Sequence, residues 1–151
     1  MVMSKINYCS SVWSNTSEGN IDKIQLIQNY AARIISGVKK FDHISPTISA
    51  LGWLPIKEHL LYRDTLLMFK CINGQAPSYL CDKFKQRNQI HNRNTRGNEE
   101  LDIPKFRTST GQRTFKYRGT KLWNELNKET KLINNLASFK IKLKTDLMKK
   151  H

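Results

Sequence analysis

Ile56-Lys57-Glu58-His59-Leu60-Leu61-Tyr62-Arg63-Asp64-Thr65-Leu66-Leu67-Met68-Phe69-Lys70-Cys71-Ile72 is the longest apolar segment of the chain. Ile56, Leu60, Leu67 and Cys71 recur at helical steps, Leu61, Met68 and Ile72 widen that stripe, and Leu66 and Phe69 wrap it further. A helix apolar around so much of its circumference is a central one, packed on several sides. Pro55 suits its first turn because proline lacks an N–H that would go unbonded there, and Gly74 stops it. The fold class follows as mainly α, a small helical domain around a central helix over about 55–73.

Upstream, Val2, Ile6, Cys9 and Trp13 repeat at steps of 4, 3 and 4, which predicts a helix of about ten residues before the polar cluster at 14–19. Asn20 is placed to cap the next helix, whose stripe Ile24, Ile27, Ala31, Ile34 and Val38 is read as a core face, with Gly37 as left-handed terminator. Ser45-Pro46 opens a short helix closed by Gly52, and Ala76 to Phe84 holds another short helical turn. Downstream, a polar loop or linker over 85–100 separates a helical core region, 1–84, from a basic region, 101–151. In the latter, Leu101 to Phe106 and Phe115 to Tyr117 alternate around Ser109-Thr110-Gly111, so a short β-hairpin near 101–117 is expected. Leu122 to Leu126 reads as a short helix. A last helix over about 135–149 presents Leu136, Phe139, Leu143 and Leu147 on one face, with Lys140, Lys142, Lys144, Lys149 and Lys150 mostly off it.

At 151 residues the chain is one domain's worth, with 26 Lys and Arg against 12 Asp and Glu and a net charge of +14. Residues 1–76 hold 8 basic and 5 acidic side chains, residues 77–151 hold 18 and 7, and the stretch 83–121 alone holds 11 and 3. A field concentrated this way points to a polyanionic partner, RNA or DNA, ahead of a merely solvated face. The best cations are Arg107, Arg113, Lys116, Arg118 and Lys121, interleaved with Phe106, Phe115 and Tyr117, and Lys140 and Lys144 add contacts from the last helix. Trp13, Trp53 and Trp123 are read as packing residues, not base-stacking platforms.

Other chemistry is missing from the pattern. Cys9, Cys71 and Cys81 are an odd number without a close pair, so neither a disulfide framework nor a zinc site is expected, and His91 is read as exposed. The carboxylates show no grouping of the kind that two-metal nucleotidyl transfer requires. Neither Gly-x-Gly-x-x-Gly nor a Walker-type loop occurs. Asp42-His43 and Glu58-His59 are adjacent pairs, and adjacent residues on a helix do not face one another. No run reaches the ~18–20 apolar residues of a membrane span, so the chain reads as soluble and intracellular, with nucleus and cytoplasm both open and no membrane partner.

Six local strings, in order, carry a further signal: Asn7-Tyr8-Cys9-Ser10-Ser11-Val12-Trp13; Ile24-Gln25-Leu26-Ile27-Gln28-Asn29-Tyr30-Ala31-Ala32-Arg33-Ile34-Ile35-Ser36-Gly37; Leu51-Gly52-Trp53-Leu54-Pro55-Ile56; Phe69-Lys70-Cys71-Ile72-Asn73-Gly74-Gln75-Ala76-Pro77-Ser78-Tyr79-Leu80; Gly111-Gln112-Arg113-Thr114-Phe115 with Leu122-Trp123-Asn124-Glu125-Leu126; and Phe139-Lys140-Ile141-Lys142-Leu143-Lys144. Together they resemble the region that follows the polymerase core in reverse transcriptases of non-LTR (LINE, jockey-like) retrotransposons, over about residues 6–148. The family usually has proline after its Trp-Asn-x-Leu string, where this chain has Asn127. The fingers, the palm and the Tyr/Phe-x-Asp-Asp carboxylates that hold the metals have no counterpart here.

The resemblance therefore implies a non-catalytic C-terminal fragment of an RNA-directed DNA polymerase, without a cofactor of its own, since Mg2+ would belong to the missing palm. Its expected role is to bind RNA or DNA by non-specific phosphate contacts. The alternative is a packing or oligomerisation module that docks on the remainder of the polymerase without binding nucleic acid itself.

Overall fold

The computed structural model describes residues 2–90 and 97–149. His91 and Lys150, named above, and the middle of the 85–100 loop lie outside the described residues. The chain forms α1 (Val2–Asn7), α2 (Ser10–Trp13), α3 (Glu18–Ser36), α4 (Ser45–Ala50), α5 (Ile56–Ile72), α6 (Ser78–Cys81), a 3-10 turn at Arg87–Gln89, α7 (Ser109–Gln112), α8 (Phe115–Glu125), α9 (Lys128–Lys131) and α10 (Leu136–Met148). It is mainly α-helical, as the sequence predicts. No helix among the described residues is long and apolar enough to cross a membrane.

Two compact units divide the chain: residues 1–63 with 146–151, and residues 64–145. The divisions at 84 and 100 are changes in composition; the packing units divide inside α5. The first half of that helix supplies Ile56 and Leu60 to the first unit, and its second half supplies Leu66, Met68, Phe69 and Cys71 to the second. The consecutive Asp64, Thr65 and Leu66 are buried, so burial extends around more than half of the helix there, whereas Lys57, Arg63, Lys70 and Ile72 are exposed.

In the first unit, Ile6, Ile56 and Leu60 form a cluster on which Met3, Trp13, Ile21 and Ile24 pack. The single first helix expected over 2–13 is two, because Cys9 turns left-handed at φ 47° and breaks it. The stripe assigned to α3 needs correction too. Ile27 and Ile34 are exposed, and the buried side is Gln28 and Ala32 with Ile21, Ile24 and Gln25 beside them. Gln28 sits inside because its amide donates to the Leu54 carbonyl at 2.9 Å, while the Gln25 side-chain oxygen accepts from the Ile56 N–H at 2.8 Å. That second bond satisfies one of the unpaired donors of the first turn of α5. The helix begins at Glu18, two residues before the expected cap; Asn20 lies inside it and donates to the Thr16 hydroxyl. Gly37, at φ 68°, does terminate it.

In the second unit, Phe139 is fully buried between Phe69, at a ring distance of 4.3 Å, and Trp123, at 6.1 Å, which draws α5, α8 and α10 together. Leu143, one turn on, is also buried, and Asn135 caps α10 by accepting from the Ala137 N–H at 2.7 Å. The hairpin expected near 101–117 does not form. Residues 109–112 and 115–125 are helical, so Phe115 and Tyr117 begin α8. Leu101 pairs in antiparallel fashion with Gln86 instead, flanked by Asp102 N–H to Lys85 O and Arg87 N–H to Glu100 O. Period-2 alternation in two short runs does not say which run pairs with which, and the partner of 101–102 lies upstream.

Asn124 completes that pairing. Its side-chain oxygen accepts from the Leu101 N–H at 3.0 Å and its amide donates to the Leu101 carbonyl at 2.9 Å, so one side chain serves both backbone groups of a buried residue. Asn124→Ala is expected to cost about 1–3 kcal/mol, because both groups lose their partner away from water. Urea unfolding checks this, and a loss under ~0.5 kcal/mol would mean the clamp does not hold Leu101 against Gln86.

Candidate nucleic-acid interface

The second unit's sequence, residues 64–145, contains 17 basic and 7 acidic residues, which is +10 of the +14. One exposed basic elbow in it is the junction of α7 and α8. Thr108 caps α7 by accepting from the Gly111 N–H at 3.2 Å. Gly111 lies under Phe106: a Cβ there would stand 2.8 Å from the Phe106 Cβ and Cγ, so any larger residue pushes the aromatic away. The Thr114 hydroxyl donates back to the Gly111 carbonyl at 2.7 Å, which fixes the turn between the two helices. Arg107, Arg113 and Lys116 are exposed around this elbow, and Lys105 is exposed beside it.

Arg118 has a different job. Its Nη1 donates to Asp64 Oδ2 at 3.0 Å and its Nε to the Arg113 carbonyl at 3.0 Å. Asp64 is 2% exposed, so the guanidinium is committed to a buried carboxylate and anchors the elbow to α5. Gly119, the next residue, lets α8 close on α5: a Cβ there would come 2.5 Å from Met68 Sδ. Lys121 lies 3.9 Å from Glu125, and both side chains are mostly exposed. Such a surface pair is worth little and leaves the ammonium available to another anion. Lys116 and Lys121 are about 140° apart around α8 at 100° per residue, so they do not share a face. Lys140 and Lys144 stand one turn apart on α10, the first exposed and the second half-buried.

The interleaved aromatics are spent largely on packing. Phe115 meets Phe84 edge-on at 5.9 Å, and Phe106 meets Tyr117 edge-on at 6.3 Å. Phe106 keeps about a third of its surface, 36%, in solvent. Trp123, buried to 7% against Phe139, is a packing residue.

Of the shifted groups, Cys71 is pushed up to about 11 by burial, with Cys81 adding to the effect, and the three cysteines are free thiols. Burial lowers Lys131, whose Nζ donates to the Asn124 carbonyl at 2.8 Å near the end of α8, so that lysine is occupied by the helix. Burial raises Tyr62. Among the described residues no three His, Cys, Asp or Glu side chains gather where they would hold a metal ion. His59 is hydrogen-bonded to the Asn7 side chain, across the unit.

Asp64 and Asn124 are the residues that pattern reading missed. Asp64 sits inside an apolar run, which is the one available signal, since a charge in such a run needs a partner. Its partner is 54 positions away in sequence. No family model, curated protein or solved structure matches the chain.

Proposed function

We propose that this chain is the nucleic-acid-binding C-terminal part of a reverse transcriptase of the non-LTR retrotransposon kind, gripping RNA or DNA by phosphate contacts and leaving nucleotide chemistry to a palm outside this sequence. The ordered strings described above support the family. The observation that carries the binding role is the hydrogen-bonded α7–α8 elbow, where Arg107, Arg113 and Lys116 are exposed in a unit of net +10. Arg118 is not counted among the grips, because Asp64 holds it. Lys121, Lys140 and Lys144 complete a set of six. The remainder of the polymerase is a second partner in this reading, and Mg2+ belongs to that remainder.

A salt titration of binding to a duplex tests it. Six phosphate contacts give a slope of log affinity against log salt near −5, at ~0.9 per contact. Replacing Arg107, Arg113 and Lys116 together with glutamine is expected to bring the slope to about −2 to −3 and to lower affinity roughly tenfold or more at ~0.1 M salt. Absence of binding at ~50 mM salt, or a triple variant with an unchanged slope, overturns the proposal.

A further inference from the structure

Phe106 is an aromatic of the second unit that packing does not use up. Gly111 lies under the root of its ring, and Tyr117 meets the ring edge-on at 6.3 Å with 61° between planes. The Gln112 side-chain amide donates to the Phe106 carbonyl at 3.4 Å, and the Thr108 cap fixes Gly111 beneath it. What these contacts leave open is 36% of the residue, on the side away from Gly111 and Tyr117. An aromatic held this way and partly bare to water loses little conformational freedom when another flat group covers it.

The surroundings say what kind of flat group that is. Residues 103–124 hold six cations, Lys105, Arg107, Arg113, Lys116, Arg118 and Lys121, and no carboxylate. Lys105 and Arg107 flank Phe106 in the chain and both are exposed; Lys121 is exposed one helical turn beyond Tyr117, on the same stripe of α8. Of the carboxylates that meet this stretch, Asp64 is buried against Arg118, and Glu125 makes only a loose surface pair with Lys121. Tyr79, also exposed in this unit, has Asp82 three positions on. A partner for Phe106 therefore presents a planar apolar face within a chain of negative charges, and unpaired nucleotides are the chemistry that joins the two. In a duplex the base faces are already stacked on one another, so the ring finds no face to cover.

We infer that the α7–α8 elbow is a single-strand site: one unpaired base of RNA or DNA stacks on Phe106 while Lys105, Arg107 and Lys121 take the phosphates on either side of it. The site presupposes that this unit binds nucleic acid, as proposed above, and narrows the ligand from any phosphate chain to an unpaired one. A surface that only grips phosphates prefers the duplex, whose counterion release is greater, ~0.9 per contact against ~0.7 for a single strand. A stacking platform prefers the single strand in spite of that.

The test is fluorescence anisotropy of the full chain with labelled probes of about 12 nucleotides at ~0.1 M salt. One probe is a single strand of mixed sequence, one is that strand paired with its complement, and one is a strand of abasic sugar-phosphates that keeps the charges and lacks the bases. The base-bearing strand is expected to bind about fivefold or more tighter than the abasic one, and no weaker than the duplex. Phe106→Leu should remove the difference between the two single strands while leaving duplex affinity, the salt slope and helical circular dichroism unchanged. Phe106→Trp should keep the difference, since an indole also stacks. If Phe106→Leu lowers helical circular dichroism, the comparison with the abasic strand on the native chain and on Phe106→Trp decides. Equal binding of the base-bearing and abasic strands by the native chain overturns the inference, as does a difference that survives Phe106→Leu, or a duplex preferred over the single strand. In those cases a steep salt slope on the duplex still upholds phosphate binding, whereas absence of binding to all three probes at ~50 mM salt overturns both readings.

Discussion

Phe139→Ala is expected to destabilise the second unit by about 3–5 kcal/mol, the range for removing a large aromatic from a core that cannot collapse around the space. The ring is fully buried and lies against two others, Phe69 at 4.3 Å with 31° between planes and Trp123 at 6.1 Å with 27°. It touches side chains from α5 and α8 while belonging to α10, so its loss removes packing from three helices at once. Set against total stabilities of about 5–15 kcal/mol, that is a large fraction, and part of the population unfolds at physiological temperature. Urea unfolding measures the shift, and near-ultraviolet circular dichroism from Trp123 reports the loss of fixed packing. Ile141→Ala, on the same helix but 70% exposed, is the control and should stay within about 0.5 kcal/mol. A Phe139 variant costing under ~1 kcal/mol would mean that this stack does not organise the unit.

The second large effect is expected at the buried ion pair. Asp64→Ala leaves the Arg118 guanidinium facing a buried site without its carboxylate, and breaking such a pair by removing one partner costs about 3–5 kcal/mol. Arg118 is 22% exposed, so water recovers part of that, and a loss near 2–3 kcal/mol is expected. Replacing both, Asp64→Leu with Arg118→Met, should recover much of the loss, because no unpaired charge remains. The same pair separates structure from binding. Arg118→Met should lower thermal stability and leave the salt slope of nucleic-acid binding unchanged, whereas Arg113→Gln should reduce the slope by about 0.9 with little change in stability. If Arg118→Met moves the slope by as much as Arg113→Gln does, the guanidinium reaches phosphate despite Asp64.

The candidate site was legible in sequence as a set of cations and illegible as an arrangement. Arg107, Arg113, Lys116, Lys121, Lys140 and Lys144 are exposed or half-exposed, as charged residues among few apolar ones must be. Which of them share a face depended on Phe115 opening a helix instead of a strand, since α8 spreads Lys116 and Lys121 where a strand would have alternated them. Arg118 looked like its neighbours until Asp64 of α5 came within 3.0 Å.

The amino-acid sequence by itself determined that the chain is α-helical, that the helices at 56–72 and 136–148 each bury an apolar stripe, and that positive charge concentrates after residue 76. Those are local properties: the spacing of apolar side chains, the left-handed terminator at Gly37 and the composition of a segment all act within a few turns. Tertiary structure alone decided which side of α3 is core. Both sides carry apolar residues, and the choice fell to the one where Gln28 and Gln25 bond the backbone at Leu54 and Ile56. It likewise decided that Leu101 pairs with Gln86 and Asn124, and that Arg118 belongs to Asp64. In each case the partner lies 15 to 54 residues away, where periodicity carries no information and only a buried polar group's need for a partner selects the contact.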